Sequence, residues 1–340
     1  MNFLKKYAKF FTVALIGAII IQSAAIPVFA DETDTVYLGG QPFGVKFFSD
    51  GVMVVELEDF YNNGRYICPA RDGGLEINDV IKEINGQTVR TNEDVQRVIF
   101  QCGGEPLKLT VERGGKELIK TINPKKNASG VYVSGAWVRD SCAGIGTVTF
   151  YDGENGCFAA LGHGICDNDT SALMPLGSAE VVSVDISSVT KSSTGKAGSL
   201  NGCFSDKTLG SLTKNTNCGV FGKTEGEIPQ NGKKLEIAEN GEIEVGKAEM
   251  YTTIEGDEAG CYEVEITKIR TTDSDTNENF VIKVTDDELI ERCGGIVQGM
   301  SGSPLVQNGK LVGAVTHVFL NDPREGYGIT ARNMVSNYQG

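Results

Sequence analysis

The segment that most constrains this chain runs from Gln298 to His317. Ser301 stands in the run Gly299-Met300-Ser301-Gly302-Ser303. Pro304 and two apolar runs follow, Leu305-Val306 and Leu311-Val312-Gly313-Ala314-Val315, with Asn308-Gly309 between them. Asn-Gly between apolar runs is a tight-hairpin signal, because both residues accept the positive φ angles that such a turn requires. The segment therefore reads strand, turn, strand. Ahead of it, the glycines around Ser301 let backbone N–H groups converge on one point while the hydroxyl stays accessible. That arrangement suits a nucleophile beside an oxyanion hole. The competing reading is a surface turn that happens to contain Ser and Gly.

A chain of 340 residues is too long for one ordinary hydrophobic core, so two domains are expected. Short runs that read as strands alternate with Gly or Asn turns, and 43 glycines fit a mostly β protein. The net charge of -14 argues against nucleic-acid partners, since no basic patch of the needed scale is present. Residues 1–30 differ from the rest. Lys5, Lys6 and Lys9 precede an apolar run from Phe10 to Ile21, and Val28-Phe29-Ala30 precedes acidic Asp31-Glu32. This reads as an export signal cut after Ala30, or as an uncleaved membrane anchor, so the bulk of the chain is expected outside the cytoplasm. The nine cysteines are scattered without Cys-x-x-Cys spacing. No metal site is expected from them, and buried free thiols are the default.

From Gly73 to Val89 the chain reads Gly-Gly-Leu-Glu-Ile-Asn-Asp-Val-Ile-Lys-Glu-Ile-Asn-Gly-Gln-Thr-Val. Val80, Ile81 and Ile84 form a strand turned by Asn85-Gly86. Thr91 with Asp94 makes a capping-box start for a helix whose apolar face is Val95, Val98, Ile99 and Cys102. Leu107 to Arg113 is a strand ending at Gly114-Gly115. This stretch resembles a PDZ domain of the kind found in bacterial proteases, over residues 36–122. The resemblance implies a peptide groove between a strand and the Thr91–Cys102 helix, with a carboxylate-binding loop at Phe43, Gly44 and Val45. Residues 124–130 read as a linker. Trp137, the single tryptophan, reads as a packing anchor.

The remainder, residues 128–340, is long enough for two small antiparallel barrels. The run from Gly299 to Thr316 resembles, without a gap, the nucleophile region of chymotrypsin-like serine proteases. A hairpin around Asp152-Gly153 delivers Gly162-His163-Gly164, and only two histidines exist in the chain. A neutral imidazole is the natural proton acceptor for a serine hydroxyl, so the base is His163 or His317. The ungapped match puts His317 on the strand bordering a substrate pocket, which favours His163. The same match places Gly295 near the pocket floor, which argues against a preference for basic residues. Asp286 ends an apolar run, either held at a rim or capping a short helix over 287–292.

Taken together, the leader, the PDZ-like stretch, Gly-His-x-Ile-x-Asp-x-Asp at residues 162–169, Thr285-Asp286 and Gly299-Met300-Ser301-Gly302-Ser303-Pro304 resemble the SpoIVB-type serine peptidases of spore-forming bacteria. The resemblance implies a PDZ domain followed by a chymotrypsin-like double β-barrel. It implies Ser301 as nucleophile, His163 as base and Asp286 as orienting acid, with Gly299 and Ser301 N–H groups forming the oxyanion hole and no cofactor. Asp286 lies only 15 residues before Ser301, unlike the chymotrypsin order, and Asp167 and Asp169 are rivals for the acid. The resemblance further implies a sporulation signalling protease in the intermembrane space of the developing spore, cleaving a membrane-anchored regulatory protein and itself. The alternative is a catalytically silent, peptide-binding scaffold of the same fold.

Overall fold

The computed structural model describes residues 35–225, 233–270 and 276–339. The leader expected over residues 1–30 lies outside them. Among the described residues no helix is long and apolar enough to cross a membrane.

Two strands open the described chain, β1 (Thr35–Leu38) and the long β2 (Pro42–Leu57). There follow β3 (Val80–Ile84), α1 (Asn92–Gln101), β4 (Leu107–Arg113) and β5 (Lys116–Ile122). Thr91 caps α1 in a complete capping box with Asp94, as the sequence predicts. Val52, Val54, Leu75, Ile81, Ile84, Val95, Leu109, Val111 and Ile122 form one core beneath these elements. Asp79 is fully buried and is held by Arg113 through Nε and Nη2, which answers its charge in the apolar surroundings.

The chain then builds β6 (Ala136–Asp152), β7 (Cys157–Ala160), β8 (Leu176–Thr190), β9 (Ser199–Thr216) and β10 (Gly219–Thr224). These strands do not close a barrel by themselves. The ring runs β2, β6, β7, β10, β9, β8 and back to β2, every pair antiparallel. Phe43, Val45, Phe47, Val148, Phe158, Val181 and Val220 fill its interior. The second barrel takes β11 (Gly246–Thr252), β12 (Gly260–Ile269) and β13 (Phe280–Val284). Helix α2 (Asp287–Cys293) follows, then β14 (Pro304–Gln307), β15 (Lys310–Val318) and β16 (Glu325–Thr330). The Asn308-Gly309 hairpin forms as read, with both residues at positive φ. Helix α3 (Ala331–Gln339) closes the chain, and its Ala331, Met334 and Val335 pack with Ala159, Phe221 and Ala314 where the two barrels meet.

Two expectations are corrected here. Phe43, Gly44 and Val45 do not form a carboxylate-binding loop. They lie inside β2, with Phe43 paired to Gly146 and Ser183, Gly44 to Ile145 and Val182, and Val45 to Gly144 and Val181. Backbone paired on both sides offers no edge to a peptide. The boundary between residues 122 and 128 is likewise not a break between separate sheets. β2 is a barrel strand as far as Ser49, then pairs with β3 of the PDZ-like layer through Val52 and Met53. Strand β6 runs beside both halves of it, from Ala136 opposite Leu57 to Thr147 opposite Pro42. The PDZ-like layer is thus an insertion into the first barrel, sharing two strands with it.

Strand β9 was not legible as a strand. Its central stretch, Cys203 to Lys207, is mostly exposed and lacks apolar alternation; pairing of Cys203 and Phe204 with β8 holds it in place. None of the nine cysteines, all among the described residues, is in a disulfide. Cys68, Cys157, Cys218 and Cys293 are buried as expected, while Cys166, Cys203 and Cys261 are exposed.

Candidate active site

Ser301 lies on the turn between α2 and β14. The turn is fastened to the first barrel as well as to its own. Thr147 of β6 donates its N–H to Ser301 O at 3.0 Å and its hydroxyl to Gly299 O at 2.8 Å. Thr149 donates its hydroxyl to Gly302 O at 2.8 Å. Gly302 has φ +94°, and a Cβ there would lie 2.0 Å from Thr147 O, so only glycine fits between the barrels. Within the turn Ser303 N donates to Met300 O, and Gly302 N donates to Val315 O of β15. Among the described residues, neither Gly299 N nor Ser301 N donates to another protein group. Two backbone donors therefore remain available beside the hydroxyl, in residues that both line one cavity.

His163 reaches that cavity from the other barrel. After β7, Leu161 and Gly162 take positive φ in succession, 66° and 68°. Leu161 is buried in the first-barrel core and is non-glycine, so its conformation stores strain of about 1–3 kcal/mol. The two residues turn the chain sharply toward β15 and β16. A Cβ on Gly162 would stand 2.9 Å from Thr316 and Ile329 side chains.

The cavity, about 470 Å³, lies between the barrels and is lined by His163, His317, Ser301, Gly299, Thr316 and the Cys142–Gly146 stretch of β6, among others. His163 Nδ1 donates to Gly164 O at 2.8 Å, which leaves Nε2 as the accepting nitrogen of a neutral ring. Its ring centroid is 4.9 Å from that of His317. Burial holds the His163 imidazole down to about 4; the Gly164 hydrogen bond opposes this and His317 adds to it. Desolvation lowers His317 as well. Ser301 Oγ donates to Thr316 O at 2.8 Å.

The structure brings Ser301, Gly299, His163 and His317 to one cavity and leaves Asp286 out of it. Asp286 is the N-cap of α2. Its Oδ1 accepts from Leu289 N at 2.9 Å and its Oδ2 from Glu263 N at 3.3 Å. The expectation that it orients His163 is therefore corrected in favour of the capping reading, and the physical reason is local: a chain leaving β13 for a helix needs an acceptor for the helix's free amides. Asp167 does line the cavity, yet its Oδ1 accepts from Asp169 N and Thr170 N, and Arg139 Nε pairs with its Oδ2. Asp169 is exposed and pairs with Arg139 Nη2. The acceptor that the His163 ring does use is the Gly164 carbonyl.

Sequence reading missed the residues that hold the His163 loop. Asn215 accepts from Ile165 N and donates to Ile165 O and Met174 O, clasping both ends of residues 165–174. Its only sequence signal was a polar residue late in a segment not read as a strand. Trp137 is not the packing anchor that the sequence suggests: it is 58% exposed, and its Nε1 donates to Glu58 at 2.7 Å. With Phe100, Ile99, Gln96, Val131 and Tyr132 it lines a groove of about 770 Å³ between α1 and the start of β6. This groove shares α1 with the expected peptide groove, but its other wall comes from residues 131–137.

Two antiparallel barrels that meet over a serine in a tight glycine turn, with a PDZ layer let into the first, define the class: the fold of a serine-peptidase family carrying a PDZ domain. It belongs to the SpoIVB peptidase S55 family, whose sequence model matches residues 130–335, while a PDZ-domain model matches residues 68–113. Curated relatives match over a short stretch. A Clostridium perfringens protein named as a zinc metalloprotease, CPE1693, is 34% identical over 67 residues, 20% of each chain. An Enterococcus faecalis protein named as protease eep is 38% identical over 58 residues, 17% of this chain and 14% of that one. The chain thus spans a fifth or less of these relatives' length. Among solved structures, the PDZ domain of the SdrC-like protein of Listeria monocytogenes aligns with 26% of this chain and 87% of its own, at TM-score 0.22 and 23% identity. The active form of the Rv3671c protease of M. tuberculosis aligns with 58% of this chain and 74% of its own, at TM-score 0.33 and 12% identity.

Proposed function

We propose that the chain is an endopeptidase in which Ser301 is the nucleophile and His163 the general base. The observation that carries this reading is that the two side chains, one from each barrel, line one cavity while His163 Nδ1 is already occupied by Gly164 O. Nε2 then holds the lone pair. A substrate carbonyl entering beside Ser301 would draw its oxygen toward Gly299 N and Ser301 N. The hydroxyl turns from Thr316 O to Nε2, gives up its proton and attacks the carbonyl carbon. His163 returns the proton to the leaving amine, and a water, deprotonated by the same nitrogen, releases the acyl group from Ser301. The Gly164 carbonyl fixes the ring tautomer, the part a carboxylate plays elsewhere. Incubation with a fluorophosphonate tests the assignment: the wild type is labelled and Ser301→Ala is not. A folded wild type that resists labelling would favour the silent peptide-binding scaffold.

We further propose that the enzyme works outside the cytoplasm in sporulation signalling, cutting a membrane-anchored regulatory protein and its own N-terminal region. The family's sporulation name, the basic and apolar leader sequence and the peptide-sized groove beside α1 support this reading. N-terminal sequencing of the protein from sporulating cells tests export and self-cleavage together. A start at Met1 in a cytoplasmic fraction would remove both.

A further inference from the structure

We infer that Asn215 is a positioning residue for the reaction, aiming the Gly164 carbonyl at His163 through a single peptide group. This deepens the peptidase reading and rests on it. The acceptor at His163 Nδ1 is a backbone carbonyl, that of Gly164, at 2.8 Å. A carbonyl carried by a glycine is loosely held by its own residue, since glycine leaves φ and ψ nearly free. The other edge of the same planar unit is the N–H of Ile165, which donates to Asn215 Oδ1 at 2.8 Å. In a trans peptide the C=O and N–H point in opposite directions, so a grip on the N–H sets the aim of the C=O. Asn215 is thus the far end of one hydrogen-bonded chain: imidazole, peptide group, side-chain amide.

The amide of Asn215 has three contacts that only one orientation satisfies. Its Oδ1 faces a donor, Ile165 N, and its Nδ2 donates to Ile165 O and Met174 O, both at 2.9 Å. Turned over, it would set donor against donor and oxygen against two oxygens. The backbone beneath it is fixed, because Asn215 pairs in β9 with Val220 of β10. Met174, 1% exposed, anchors the far end of the clasp in the first-barrel core. Gly164 is pressed against the same strand, where a Cβ would lie 2.7 Å from Thr216 O. The Cys166 thiol also reaches Gly164 O, at 3.7 Å, but it is a weak donor. Hydrogen bonds in series polarise one another, each gaining about 10–30%. The gain is largest once His163 has taken the Ser301 proton, because Nδ1–H then donates from a charged ring. No proton travels along the chain; it holds the ring and its charge in place. Asn215 is not among the residues lining the cavity, so it acts through His163 and not on the substrate.

The test is the tautomer of the His163 ring, read by imidazole-nitrogen NMR of the full chain, with Ser301 acylation kinetics beside it. The chain has two histidines, and a His317→Gln sample assigns their signals. Wild type should carry the ring proton on Nδ1. In Asn215→Ala the proton should move in part to Nε2, and kcat per active molecule should fall about ten- to a hundred-fold, the scale of a misplaced reacting group, with KM unchanged. Asn215→Asp keeps the shape but sets an oxygen against two carbonyls, and should behave the same way. A merely structural role would lower the melting temperature and leave the tautomer of the folded protein as it was. Should neither variant fold, the wild-type spectrum still decides: a ring proton on Nε2 overturns the inference. Folded variants with the wild-type tautomer and kcat, in a protein whose Ser301 is labelled by fluorophosphonate, overturn the inference alone. A folded wild type that resists fluorophosphonate removes the peptidase reading, and the role of Asn215 with it.

Discussion

The hydroxyl of Thr147, on a strand of the first barrel, donates to the carbonyl of Gly299, in the Ser301 turn of the second, at 2.8 Å in a buried position. The bond fixes the peptide unit that precedes Met300, and so the attitude of the turn that carries Ser301. Thr147→Val keeps the volume and removes the donor. The orphaned carbonyl should cost about 1–3 kcal/mol of stability. Loosening the turn should lower kcat by roughly 10-fold to 100-fold, short of the full loss of an oxyanion donor. Thr147→Ser should restore both. Thermal melting and single-turnover acylation measure the two effects.

The pH profile should carry the His163 signature. An imidazole held near 4 is neutral, and able to accept a proton, everywhere above that value. The rate of Ser301 labelling should therefore rise from about pH 3 to pH 5 and stay flat through neutrality, rather than turning on near the usual histidine value of about 6.5. A half-maximum at that usual value would contradict the buried neutral ring. Stability follows the same sign. The unfolded chain binds a proton at this residue below about 6.5 that the folded chain refuses until near 4, so stability drops as pH falls through that window. In His163→Ala this contribution should vanish.

Asp286 distinguishes a cap from a catalytic acid by simple substitution. Asp286→Ala should cost about 1 kcal/mol through the bare amide of Leu289. Asp286→Asn keeps a capping oxygen and should stay near wild type in melting temperature and within about two- to three-fold in kcat/KM, since an N-cap Asn is nearly the equal of Asp. A large loss of kcat in a stably folded Asn variant would put Asp286 back in the chemistry.

Arg139 should prove more important to stability than its partial exposure suggests. It is paired with Asp167, whose side chain is 0% exposed. Arg139→Met strands that carboxylate and should cost about 3 kcal/mol, while adding Asp167→Asn should recover part of it. Because Asp167 lies in the loop that follows His163, the single variant should also lower kcat. Denaturant melts and steady-state kinetics on both variants check this.

The residues proposed to carry the chemistry stand out in the sequence by local rules. Ser301 announced itself by a glycine turn and the Asn308-Gly309 hairpin, and His163 by glycines at the end of an apolar strand and by the scarcity of histidine. The helix at Asn92–Gln101 was readable from its cap and its apolar face. What failed to read was whatever depends on a partner far along the chain. Phe43-Gly44-Val45 is apolar enough for a loop lip or a barrel core, and only pairing with Ile145 and Val181 decides between them. Asp286 stands at the end of an apolar strand in either of its readings, and only the direction of the helix amides settles which.

The sequence by itself determined the barrel-forming strands around Ser301, the PDZ helix and the two side chains suited to acyl transfer, because turns, caps and periodic burial act over a few residues. Tertiary structure alone decided that β2 serves two layers, that Thr147 holds a turn more than 150 positions away, and that a backbone carbonyl stands at the imidazole. Those outcomes rest on hydrogen bonds closed between segments distant in sequence, and such bonds leave no periodic trace in either segment.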